Sequence, residues 1–398
     1  MTWVKNRVLL LLLAIGAVVA SSLPFLSQAP NRLVSGIGIS LLDTLAAHAA
    51  LGGLLALATG FLLAAALVLR PGRATQIGVV GATTFLLASL TWLAGSHAAQ
   101  LTDLAADASG SPGLQRTSLS GGFWLLAALC WLAASDAIGR LGLKPFVRLL
   151  ASSAVITPVL ALLAGGALDS LSLLREYANR QEVFNNALWQ HLHIVLASLL
   201  PSLLIGVPLG IASARNGRWM NALRPSLFAS LNIIQTIPSI ALFGLLMAPL
   251  ALLAASVPLL GEWGIKGIGL APAVLALLLY SLLPIVRSSA AGMNQVSRPV
   301  IDAALGMGLS ARQIFWQVEA PLALPVFMAG LRVATVQTIG MAVVAALIGA
   351  GGFGAIMFQG LTGGALDLVL LGVLPVVAMA VLIDAVLKTW ALSLAHQF

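Results

Sequence analysis

The chain is written as long apolar runs separated by short polar breaks. The runs lie near residues 8 to 26, 44 to 69, 76 to 95, 120 to 138, 147 to 168, 192 to 213, 226 to 257, 270 to 290, 322 to 348 and 366 to 387. A bilayer core about 30 Å thick takes about 20 apolar residues per helix, and barrel strands show ten-residue alternation instead. The pattern predicts an all-α polytopic membrane protein of about ten transmembrane helices. One stretch does not fit. PVIDAALGMGLSARQIFWQVEAPLALP, from Pro299 to Pro325, holds Asp302, Arg312 and Glu319 and no apolar run long enough to cross a membrane.

Composition supports the membrane assignment. Charged residues are 8% and hydrophobic residues 60% of the 398 positions, whereas soluble domains carry roughly a quarter charged. The formal charge of +8 is scattered singly at the ends of apolar runs, which signals orientation and gives no nucleic-acid surface. With the N-terminus inside, 14 of the 20 basic residues fall on the cytoplasmic side. Arg32, Arg116, Arg175, Arg180 and Lys266 fall outside, and Arg332 lies within a span. The expected placement is a multi-pass protein of the cell inner membrane with both termini cytoplasmic, and the Pro299–Pro325 stretch faces the cytoplasm. Ser27-Gln28-Ala29 resembles a signal cleavage site, but Pro30 directly follows it and the first run is long enough to span.

The apolar pattern is interrupted on the outer side, giving residues 1–170 as an accessory membrane region of about five spans, 171–191 as a periplasmic connecting segment and 192–398 as a second set of five. Five plus five with opposite starting sides is the arithmetic of an inverted-repeat, ion-coupled secondary transporter, which stays as the alternative. That reading asks for a broken helix opening each half. The sixth run has Pro201, Gly206, Pro208 and Gly210, but the first has only Gly16.

Catalytic chemistry is hard to place. None of the lysines, at 5, 144, 266 and 388, sits in a Gly-Lys-Ser/Thr loop, so the chain has no Walker A motif. The single cysteine, Cys130, excludes thiolate clusters, and nothing asks for a metal or cofactor. His191 and His193 stand beside Trp189 and are expected as interfacial anchors. Arg332 is expected to face the bundle interior with a partner, either Asp384 or a carbonyl.

Within the odd stretch, Asp302 to Gly308 predicts a short helix closed by glycine. Ser310 with Gln313 predicts a capping box opening a second helix through Val318, ended by Pro321. Ile314, Phe315, Trp316 and Val318 are too apolar for a free loop and point either to burial against something outside the bilayer plane or to an interfacial helix lying on lipid headgroups.

Asp302-Ala303-Ala304, Gly308, Val318 and Ala320-Pro321 stand at the offsets of the signature of binding-protein-dependent ABC importer permeases, with Asp for Glu, Val for Ile and Ala for Leu. The chain resembles that family over about residues 187 to 398. IQTIPSIALFG, LYSLLPIVRSS, GLRVATVQTIGMA and ALIGAGGFG look like the branch importing glycine betaine, choline, carnitine and related osmoprotectants, in a YehY-like long form. The resemblance implies a MetI-like permease core in the C-terminal half. It implies a cytoplasmic coupling loop at 299–321 (Asp302, Ala303, Ala304, Gly308, Arg312, Phe315, Trp316, Pro321) that docks in a separate ABC ATPase. It also implies a second permease subunit, the same or different, and a periplasmic substrate-binding protein, with membrane lipid as surroundings. Uncharged polar residues in the core spans, Asn232, Gln235, Thr236, Ser239, Ser281, Thr335, Gln337 and Thr338, are candidates for the translocation path of a zwitterion or quaternary cation. The chain itself is expected not to be an enzyme.

Overall fold

The computed structural model describes residues 4–31, 34, 36–109, 115–215, 218–262 and 264–395. The expectation for the chain ends falls on residues 1–3 and 396–398, outside the described residues. Among the described residues, nine helices are long and apolar enough to cross a bilayer. The chain divides into two compact units, the first covering 1–179 with 363–367 and the second covering 180–362 with 368–398.

The first unit opens with α1 (Arg7–Ser22), where Asn6 accepts from the Leu9 N–H at 3.1 Å as N-cap. The run expected at 8 to 26 stops at Ser22 because Leu23 turns extended before Pro24, which cannot continue a helix. The chain then enters a three-stranded antiparallel sheet in the order β2-β1-β3, with β1 (Leu26–Ala29), β2 (Ile37–Ile39) and β3 (Arg116–Leu119). The register pairs Ser27 with Gly38 on one side and with Ser118 on the other. Nothing in the hydrophobic pattern foretold these strands; three or four residues are too few to show alternation. Around them run α2 (Leu41–Ala46), α3 (Ala49–Leu67), α4 (Arg73–Ser109), α5 (Gly121–Arg140), α6 (Pro145–Ala164) and α7 (Ser172–Asn179). The run expected at 44 to 69 is thus two helices, broken at Ala47 and His48.

The second unit contains α8 (Gln181–Ala214), α9 (Arg218–Thr236), α10 (Ser239–Ser256), α11 (Pro258–Glu262) and α12 (Leu270–Gln295). It continues with α13 (Arg298–Gly306), α14 (Ala311–Ile314), α15 (Ala320–Ala342), α16 (Phe353–Thr362) and α17 (Leu366–Ala395), whose first two residues belong to the other unit. Helix α12 is its centre, held between α8 and α15 by glycines that let backbones approach. A Cβ on Gly206 would lie 2.8 Å from Ile285 Cγ2, and one on Gly292 would lie 2.7 Å from the Ala323 carbonyl oxygen. The expected span 226 to 257 is again two helices. Pro238 pushes Ile237 out of helical conformation and stands at φ −56°, ψ 138° as N-cap of α10.

Candidate functional site

At three of the places in the membrane-crossing part of the second unit where helical hydrogen bonding fails, the freed carbonyl meets a side chain. Pro284 has no N–H for the carbonyl four residues back, that of Tyr280, and Gln235 Nε2 donates to it at 2.5 Å. The α9–α10 break leaves the Ile237 carbonyl, and the Tyr280 hydroxyl donates to that. Helix α15 tightens at its end into a 3₁₀ turn (Val344–Ile348), where the Val343 N–H turns to Gly340. The Ile339 carbonyl it abandons lies 3.2 Å from His191 Nε2, so that nitrogen carries the proton. Non-helical backbone inside a bilayer is tolerated only where such partners are supplied.

These contacts correct two expectations. His191 is 0% exposed and is no interfacial anchor; its ring packs at 5.7 Å from the Phe353 ring. Beside it, Gln190 Oε1 accepts from the Gly352 N–H at 3.0 Å. Gly349, Gly351 and Gly352 all have φ between 73° and 84°, a region other residues avoid. Trp189, 71% exposed, does face outward. Gln235, placed as a path residue, holds two helix breaks together.

The remaining path candidates separate in the same way. Ser281 and Thr338 are buried, their hydroxyl oxygens 2.7 Å apart between α12 and α15, and Thr335 is buried with its hydroxyl donating to Leu331. These three contribute to helix packing in this conformation. Thr236 is exposed and donates to Ile233 of its own helix. Asn232 accepts from Arg287 Nη2 at 2.6 Å, Gln337 reaches Met341 Sδ at 3.6 Å, and Ser239 opens α10. The structure therefore does not gather the eight into one lining. Arg332 pairs with Asp384 across α15 and α17, which settles the choice left open by the sequence.

The Pro299–Pro325 stretch folds largely as its pattern predicts. Helix α13 ends in a left-handed Gly308 at φ 83°, with the Leu309 N–H returning to the Ala304 carbonyl at 3.2 Å. The capping box is present, with Ser310 N donating to Gln313 Oε1 at 2.8 Å. One expectation fails: Pro321 does not end the second helix. A π turn at Phe315–Glu319 joins α14 directly to α15. Its wider loop accommodates a proline whose ring would otherwise press on the Gln317 carbonyl. Ile314 is buried within the chain, and Phe315 lies under the Arg215 guanidinium at 5.4 Å. Arg215 also pairs with Glu319 at 3.1 Å, tying the end of α8 to the π turn. What remains outside is Leu305, Met307 and Trp316, 54%, 75% and 64% exposed, beside exposed Asp302, Ala303 and Arg312. Ala304 is buried and Pro321 half-buried.

Residues 206–394 match the family described as the binding-protein-dependent transport system inner membrane component. The osmoprotectant import permease protein OsmW of Salmonella typhimurium is 38% identical over 200 residues, 49% of this chain and 84% of OsmW. The chain belongs to the binding-protein-dependent ABC transporter permeases. Residues 5–174 of the permease match a second family, the N-terminal domain of ABC transporter permease YehY. The permease is also 36% identical over 198 residues to the glycine betaine/carnitine/choline transport system permease protein OpuCB of Bacillus subtilis, covering 50% of the permease and 82% of OpuCB. Among solved structures, an inward-facing form of the MetNI methionine ABC transporter is similar at 23% identity and a TM-score of 0.44, over 54% of the permease and 98% of that chain.

Proposed function

We propose that the permease is the membrane subunit of an ATP-driven importer that carries an osmoprotectant of the glycine betaine, choline or carnitine class across the cell inner membrane. The single observation behind this is the coupling segment. Leu305, Met307 and Trp316 form an exposed apolar face flanked by Asp302 and Arg312, and such a face outside the bilayer calls for a protein partner. The π turn joins that face to α15 without a flexible linker. ATP is hydrolysed on the docked ATPase subunit, and a second permease and a binding protein complete the assembly. Residues 192–398 form the working core, and residues 1–170 are an accessory region joined through 171–191. Asn232, Thr236, Ser239 and Gln337, which are not enclosed in the packing, are the residues retained for the path.

Uptake of radiolabelled glycine betaine, choline and carnitine in cells carrying the whole importer tests the reading. Uptake is expected to survive collapse of the ion gradients while ATP is maintained. Trp316→Ala is expected to reduce it at least tenfold and to lose ATPase copurification, while thermal stability stays within about 0.5 kcal/mol, as for a surface change. Gradient-driven uptake by the reconstituted chain alone would identify a secondary carrier and sink the proposal.

A further inference from the structure

The first unit contains a half-open apolar cavity of about 620 Å³ between α1, α3, α4 and α5, with α2 at one end. Its walls run along α1 from Leu9 to Ala20, twelve residues spanning about 16 Å of helix, roughly one leaflet of a 30 Å core. Two wall hydroxyls are already used: Thr59 donates to Leu55 at 2.6 Å and Thr83 to Val79 at 2.8 Å. The cavity therefore offers water nothing to bond and is suited to hydrocarbon. An apolar cavity of about 150 Å³ takes one benzene, so this one has room for roughly two dozen carbons, one long chain and not two.

The end of the cavity at Leu9 is basic. The N–H groups of Lys5 and Asn6 both donate to the Ala66 carbonyl at 2.9 Å, joining the start of α1 to the end of α3. Arg140 reaches Asn6 Oδ1 at 3.4 Å and Asp136 at 2.7 Å, bringing in the end of α5. Lys5, Arg7, Arg70, Arg73 and Arg140, all exposed, thus collect at one end against the single acid Asp136. Clustered Lys and Arg next to a hydrocarbon slot match an anionic headgroup. We propose that the cavity holds one acyl chain of an anionic membrane phospholipid, with its headgroup on this basic rim. The inference is independent of the transport reading.

Adjacent glycines provide the test. Neither Gly52 nor Gly53 has any atom within 4 Å of an added Cβ, but only Gly52 lines the cavity. The full chain, delipidated in detergent and exposed to phosphatidylglycerol or phosphatidylcholine, is weighed by native mass spectrometry. Gly52→Phe is expected to lose about one phosphatidylglycerol per chain, as one filled pocket would, and Gly53→Phe to keep it. Arg7→Gln with Arg73→Gln is expected to cut the preference for phosphatidylglycerol several-fold. Cys130, the only cysteine, lines the cavity, so in the unaltered chain phosphatidylglycerol is expected to slow its alkylation by an apolar maleimide several-fold. Equal lipid counts in the two glycine variants, equal retention of the two lipids by the unaltered chain, or an unchanged Cys130 rate overturns the proposal.

Discussion

Helices α4 and α12 are comparably enclosed, with 50% and 56% of their most apolar windows buried, yet their neighbours meet them differently. Around α12 the backbones of α8 and α15 close in at Gly206, Gly210, Gly292 and Gly330, and hydroxyls and amides bridge what is left. Around α4 one glycine, Gly95, closes on the Ala167 carbonyl, but on the side of α1 and α3 leucines leave a cavity. Burial alone does not distinguish a helix closed in on both sides by neighbouring backbones from one with a gap along one side. Close-packed glycine contacts resist deformation. A leucine-walled gap can accept a guest without rearrangement.

The largest test of that contrast substitutes glycine on each side. A Cβ at Gly330 collides with Ser288 and comes within 3.0 Å of the Pro284 carbonyl, so Gly330→Leu is expected to cost about 3 kcal/mol or more by overpacking. Gly52→Leu is expected to leave stability unchanged or raised. Thermal unfolding of the two variants in the same detergent decides; equal losses would erase the distinction between the units.

Next in size is the clamp formed by Gln235, Tyr280 and Pro284. Gln235→Leu strands the Tyr280 carbonyl and is expected to destabilise by about 1–3 kcal/mol. Pro284→Ala restores an N–H to that carbonyl, so adding it to Gln235→Leu should recover most of the loss in chemical denaturation. No recovery would mean that Gln235 acts otherwise than by satisfying that carbonyl. The smallest effect concerns Ser281 and Thr338. A double-mutant cycle with Ser281→Ala and Thr338→Val is expected to show a coupling near 0.6 kcal/mol, the usual scale for hydrogen bonds between membrane helices. A coupling of zero would leave glycine and apolar side-chain packing as the ties between α12 and α15.

The membrane helices were legible because 20-residue apolar runs carry their own signal, and the Pro299–Pro325 stretch because Gly308 and Ser310 act on neighbours within four residues. What was not legible depends on partners far along the chain. His191 beside Trp189 has the local look of an anchor, and only a carbonyl 148 positions away accounts for its burial. Ser281 and Gln235 are polar residues in apolar runs whether they line a passage or hold two helices. Pro321 was misread because a proline normally stops a helix, and the π turn that admits it has no composition of its own. The sheet of β1, β2 and β3 was invisible because its strands are shorter than the window in which alternation can be seen.

The π turn makes one continuous shaft of α14 and α15. With 23 residues, α15 is a rod about 35 Å long, so a rocking of about 10° at its base swings the opposite tip by about 6 Å. That tip carries the 3₁₀ turn, the left-handed glycines and the His191 latch. A displacement of that size exceeds a hydrogen-bond length, so the contacts at the far end would not survive a rigid tilt of this shaft.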